Sequence, residues 1–198
     1  LDFIKKSCIV FNMEAIKKIE LNKIAKVILI AILGTLLLTI SAKIKIPFYP
    51  VPMTMQTFIV LFLGITLGPK IGLLTVSLYL FEGIFGLPVF AGTPEKGIGL
   101  IYFTGPTMGY LVGFLVAVYL AGSLKYDRGI INTFSKLIFS VSFIYILGLI
   151  WLGTLIGWDK PIFKLGAQPF LLAELFKVLL LVFLTPTLLK VKKLIKIT

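Results

Sequence analysis

Apolar residues gather into six blocks, at 24–40, 55–67, 71–85, 106–124, 134–156 and 169–189, with the polar residues between them. A helix crossing a bilayer needs about twenty apolar residues. The pattern therefore predicts an all-α integral membrane protein with six transmembrane helices. The second and third blocks are short, so they tilt, extend into their flanks or enter the bilayer only part-way. Between them Gly68-Pro69-Lys70-Ile71-Gly72 is a tight helix-breaking turn. The expected organisation is an N-terminal amphipathic or cytoplasmic segment at 1–23, a membrane domain at 24–189 and a basic cytoplasmic tail at 190–198. Residues 13–25 read as a short amphipathic helix on the membrane surface. The first twenty residues lack the continuous apolar core of a signal peptide. The chain opens on Leu1, and Met13 is a candidate true start.

Composition agrees with a membrane protein. The chain has 198 residues, of which 59% are hydrophobic and only 14% charged. Soluble domains run at about a quarter charged, so no domain-sized soluble region is expected. The net charge of +12 raises the question of nucleic acid. The basic residues sit at block ends, however, where membrane topology requires them, so lipid and not nucleic acid is the expected partner of this charge. With six spans both termini share a side. That side collects fourteen Lys and Arg residues against five on the other, with Lys177 inside a span. Both termini are thus expected in the cytoplasm, in a multi-pass protein of the cell membrane.

Histidine is absent and Cys8 is the sole cysteine, which excludes His-based triads, His-ligated zinc or haem, and an intrachain disulfide. No G-x-x-x-x-G-K-[ST] sequence occurs, so the chain has no P-loop of its own. No cofactor is expected in it, and ATP-driven transport would require a partner ATPase.

Two charges in the last block stand out. Glu174 and Lys177 lie three residues apart in PFLLAELFKVLLLVFL, on one face of a helix and within reach of each other. Ionisable groups in hydrocarbon are costly and usually mark a functional site; the alternative is a self-neutralising pair that only orients the helix. Topology puts Glu174 five residues in from the outer end, roughly 7.5 Å deep at helical rise. Glu82, near the outer end of the third block, is the other acid inside a span. Both lie beneath two elaborate outer loops, KIPFYPVP at 45–52 and the Gly-rich stretch at 86–105. A pocket open to the outside follows, and with it uptake in preference to export.

Other polar groups cluster nearby in the sequence. Gln56 and Thr54 stand at the entrance to the second block, able to bond a ligand or to cap the helix. Tyr79 lies near Glu82, and Tyr110 follows the Gly105-Pro106 turn; either can serve a ligand or sit as an interfacial tyrosine. In the first block Ala31, Thr35 and Thr39 recur at four-residue spacing. Small residues in line admit a close helix, either within the chain or on a separate subunit.

Four segments, PVPMTMQTF (50–58), LGPKIG (67–72), GLPVFAG (86–92) and GPTMGYLVGF (105–114), resemble in order and spacing the BioY family. These are biotin-specific substrate-binding components of energy-coupling factor (ECF) transporters. The resemblance implies a six-helix S-component fold that binds biotin on its outer side. It also implies association with a transmembrane T component and two ATPases that use ATP, and toppling in the membrane. It gives Ala31 and Thr35 a reading as the face that docks the T component. Pro169, Phe170, Glu174 and Lys177 match the family's last-helix motif, with Glu where Asp is usual and Leu172-Ala173 where Pro-Gly is usual. After Gly92 the chain reads TPEKGIG in place of a Gly-rich run, with Lys96 standing for a basic residue found in some members.

The chemistry of biotin suits such a set. Glu174 would accept from the ureido N–H groups while Lys177 donates to the ureido oxygen or balances the acid. Lys96, helped by Gln56, would neutralise the valerate carboxylate, and the rings would rest on Phe48, Tyr49 or Phe90. Rival readings are an S component for another vitamin, an intramembrane enzyme pairing Glu82 with Glu174 as acid and base, and a channel, which needs a continuous polar path.

Overall fold

The computed structural model describes residues 2–46, 49–51, 53–95, 97–126 and 129–195. Its elements are α1 (Asp2–Lys43), β1 (Lys45–Ile46), β2 (Met53–Thr54), α2 (Gln56–Ile84), α3 (Met108–Ser123), α4 (Gly129–Ile156), α5 (Ile162–Gly166) and α6 (Leu171–Ile195). Four helical stretches, Leu21–Lys43, Gln56–Ile84, Gly129–Ile156 and Ile162–Ile195, are long and apolar enough to cross a membrane, and α3 is a shorter apolar helix. Among the described residues the regular elements are helical apart from the two-residue antiparallel ladder of β1 with β2.

The element α2 is broken at Gly68, whose φ of 76° and ψ of 178° are not helical. The break reverses the chain. Gln56 Nε2 donates to the Tyr79 hydroxyl at 2.8 Å across 23 residues, a separation that a straight helix would stretch to about 34 Å. Only glycine adopts such backbone angles without a steric penalty, and Pro69 then restarts a helix with φ already set. The close approach continues at Gly122 of α3, where a Cβ would run into the backbone of Gly68 and Pro69. The expected turn at 68–72 is thus the corner of a helical hairpin.

This hairpin is the centre of the fold, with α1, α3 and α6 all packed on it and α4 packed on α3. Ala31, Thr35, Leu38 and Ala42 form the inward stripe of α1, with Ala31 and Thr35 each 2% exposed. Gly34 lies so close to α2 that a Cβ there would overlap the Thr75 methyl group. The outward stripe of α1, including Ile28, Leu29, Ile32, Leu36 and Ile40, is apolar and open. That face belongs against lipid, where association rests on close packing of small residues inside the bundle. The helix α1 runs unbroken from Asp2 into the first span.

The loop at 86–105 is a packed plug. Phe90 is buried, stacks on Tyr102 at 4.7 Å between ring centroids and meets Tyr79 and Phe103 edge-on. Its ring fills the space left by Gly83, where a Cβ would strike it. Lys43, at the end of α1, donates to the carbonyls of Phe90 and Thr93 at 3.1 and 3.2 Å and to the Thr93 hydroxyl at 3.1 Å. The Tyr102 hydroxyl donates to the Ala91 carbonyl at 2.7 Å. Burial pushes the Tyr102 phenol above its usual pKa, with the neighbouring Thr107 pulling the other way, so it remains a donor at neutral pH.

Candidate functional site

The first turn of α6 carries Glu174, and one turn later on the same face comes Lys177. Both are buried, at 4% and 8% exposure, and their charged atoms lie 3.4 Å apart. The pair is tied to two other helices. Glu174 Oε2 accepts from the Thr57 hydroxyl of α2 at 3.0 Å and from the Tyr145 hydroxyl of α4 at 2.9 Å. Lys177 Nζ donates to the Thr54 carbonyl at 2.7 Å, to the Thr57 hydroxyl at 3.1 Å and to Glu174 Oε2. An ammonium has three hydrogens, and all three are committed.

The other carboxylate oxygen differs. Glu174 Oε1 is buried and has no hydrogen-bond partner among the described residues. A carboxylate oxygen without a donor is expensive in a low-dielectric interior. The arrangement concentrates the protein's own donors on Oε2 and leaves Oε1 to accept from something else.

Glu174 and Lys177 line a cavity of about 60 Å³, whose walls come from β2, the start of α2, the plug, α3, α4 and Phe170 ahead of α6. Its polar wall is Thr54, Gln56, Thr57 and Tyr145 around the pair; its apolar wall includes Leu111, Phe114, Ile144 and Phe170. Gln56 is held by the Tyr79 hydroxyl, which itself donates to the Val89 carbonyl at 3.0 Å. Tyr110 lines the cavity and donates to the Gly166 carbonyl at 2.8 Å. A wider space of about 390 Å³ adjoins it, bounded by Tyr49, Pro50, Gly105, Pro106, Leu155 and Ile156. Tyr102 and Thr107 line both spaces.

The BioY family model matches residues 13–194. The chain belongs to the BioY family. A relative described as "Probable biotin transporter BioY" from Pyrococcus horikoshii is 35% identical over 153 residues, covering 77% of this chain and 90% of that one. The "Biotin transporter BioY" of Thermotoga maritima is 35% identical over 147 residues, covering 72% of this chain and 83% of that one. A solved structure, described as the S-component for biotin from an ECF-type ABC transporter, aligns with a TM-score of 0.71 at 25% identity. It covers 85% of this chain and 93% of that one.

The BioY segments divide by place. PVPMTMQTF supplies Val51, Met53, Thr54, Gln56 and Thr57 to the cavity, GPTMGYLVGF supplies Thr107, Tyr110, Leu111 and Phe114, and GLPVFAG supplies Ala91. LGPKIG forms the hairpin corner at the other end of the fold. Of the residues singled out in sequence, Glu174, Lys177, Gln56, Thr54 and Tyr110 come together on the cavity wall. Tyr79 stands behind Gln56 and supports it. Phe90 does not wall the cavity, because its ring is spent anchoring the plug. Glu82 is half-buried and absent from the cavity lining, so it does not converge with Glu174 as an acid–base pair must. Phe48 and Lys96 lie outside the described residues. Ala31 and Thr35 are buried on the inward stripe of α1, the helix that packs on α2.

Sequence reasoning missed Thr57 and Tyr145. Tyr145 carried a signal, since it lies well inside an apolar block and not at an end, where tyrosines of membrane proteins usually gather. Thr57 offered none beyond standing next to Gln56.

Proposed function

We propose that this chain is the biotin-binding S component of an ECF-type importer, a six-span protein of the cell membrane with both termini in the cytoplasm. The observation that carries the reading is Glu174 Oε1, a buried acceptor without a donor among the described residues, on the wall of a cavity with apolar sides. A ureido N–H of biotin is a donor of the right kind, and the thioether ring and aliphatic tail match Leu111, Phe114 and Ile144. The relatives described as biotin transporters support the ligand. The reversal at Gly68 supports the span count by making two passes of one helical stretch. The clustering of Lys190, Lys192 and Lys193 at one end supports the orientation.

Small-molecule sites commonly measure about 300–1,000 Å³, well above the 60 Å³ of the inner cavity. Biotin therefore enters with a shift of the cover made by the plug with Val51, Met53 and Thr54, and its valerate tail lies in the wider space lined by Tyr49 and Thr107. The committed hydrogens of Lys177 make it the counter-charge and clamp of Glu174, more than a direct ligand of the ureido oxygen. Binding and release involve no bond-making step on this chain; transport is driven by ATP hydrolysed in partner subunits that join through a T component.

The test is equilibrium binding of labelled biotin to the purified protein and to Glu174→Gln. The variant keeps the shape of the acid, removes its charge and turns one end of the group into a donor. Sub-micromolar binding by the wild type and a loss of at least about tenfold in the variant support the proposal. Equal binding by the two proteins would remove Glu174 from the site. Competition by desthiobiotin but not by thiamine or riboflavin separates biotin from other vitamins.

A further inference from the structure

At the other end of α6 from Glu174 a second space opens, about 960 Å³ in volume, and it shares no lining residue with the cavity. It lies where the hairpin corner of α2, the end of α3 with the turn that follows, and the last turns of α6 meet, beside Val27 of α1. Its walls are of two kinds. Leu67, Ile71, Leu124 and Leu189 supply aliphatic surface, and Lys70, Lys125, Lys192 and Lys193 supply four positive charges.

Among the described residues no acidic side chain lines this groove, and none of the four lysines forms an ion pair. Lys192 reaches across the corner, its Nζ 3.8 Å from where a Cβ on Gly68 would stand. Four ammonium groups gathered on one concave surface repel one another and attract anions. The groove also sits at the ends of membrane-crossing helices, the level of lipid headgroups.

We propose that this groove binds the phosphodiester headgroup of an anionic phospholipid. The lysines take the phosphate, and the aliphatic walls take the glycerol backbone and the first acyl carbons. A soluble anion would use the charges but not the apolar walls; a lipid uses both. Basic pockets between helices at the membrane surface suit such headgroups. The proposal does not rest on the identity of the vitamin.

The experiment is native mass spectrometry of the detergent-purified protein titrated with phosphatidylglycerol, or with phosphatidylcholine of the same acyl chains. The wild type is compared with a groove variant, Lys70→Gln/Lys125→Gln/Lys192→Gln/Lys193→Gln. A second comparison sets Lys192→Gln/Lys193→Gln beside Lys23→Gln/Lys190→Gln, which removes the same charge outside the groove. The expected result is retained phosphatidylglycerol but not phosphatidylcholine on the wild type. Affinity should fall by roughly fivefold for each groove lysine removed, the worth of one basic side chain near an anionic membrane surface. The outside variant should keep wild-type retention. Equal losses in the two double variants would mean diffuse surface attraction and overturn the proposal. So would displacement of the lipid by millimolar inorganic phosphate, which would mark a free-phosphate site. Circular dichroism of the groove variant, matching the wild type, keeps unfolding out of the comparison.

Discussion

Tyr145, on α4, donates its phenolic hydrogen to Oε2 of Glu174, on α6, at 2.9 Å. With Thr57 donating to the same oxygen from α2, three helices fix one carboxylate and decide which of its oxygens is left over. Tyr145→Phe keeps the ring and removes one hydrogen bond to a charged group, worth about 1.5–3 kcal/mol. Biotin affinity is expected to fall by roughly tenfold or more, through a faster release measured by displacement of labelled ligand. An unchanged release rate would show that Thr57 and Lys177 hold the acid without it.

The Glu174–Lys177 pair predicts an asymmetry between stability and binding. Removing one partner strands a buried charge, at a cost of about 3–5 kcal/mol. Lys177→Met alone should therefore lower thermal stability more than the double change Glu174→Gln/Lys177→Met, while both abolish biotin binding. Thermal unfolding in detergent, read beside equilibrium binding, checks the order. A double variant less stable than the single would remove the coupling.

The corner residue Gly68, at φ of 76° and ψ of 178°, occupies a region nearly reserved for glycine. Gly68→Ala should cost about 1–3 kcal/mol and lower the unfolding temperature, without removing any cavity wall. Residual folded protein should bind biotin with wild-type affinity. Weaker binding by the folded fraction would show that the corner reaches the cavity.

Lys43 ties the plug to α1 through Phe90 and Thr93. Lys43→Met keeps the length of the stem and removes the donors. Loosening the cover should speed both entry and release of biotin, with a smaller change in equilibrium affinity than in either rate. Stopped-flow association and dissociation measure this; rates equal to those of the wild type would leave the plug held by its aromatic stack alone.

The spans and the central pair were legible in the sequence because hydropathy and intramembrane charge are one-dimensional signals. The hairpin corner showed as Gly-Pro. Thr57 gave no sign of its role, and although Tyr145 stood out by its place inside an apolar block, no spacing in the chain connects either hydroxyl to Glu174. Phe90 was misplaced because an aromatic residue in a Gly-rich loop fits a ligand wall and a plug equally well. Ala31 and Thr35 were ambiguous for a reason special to membranes. Both faces of α1 are apolar, so small residues announce a close neighbour without saying whether it belongs to the same chain.

The hairpin also gives the molecule an uneven height. The second arm of α2, residues 69–84, and the sixteen-residue α3 each rise about 24 Å, against a hydrocarbon layer of about 30 Å. Their outward residues Leu74, Phe81 and Tyr119 face the surroundings, while the 28-residue α4 exceeds the layer. Lipid beside the short flank must thin, at fractions of a kcal/mol per Å of mismatch. Lipid thus meets a shorter apolar wall at α3 and the second arm of α2 than at α4.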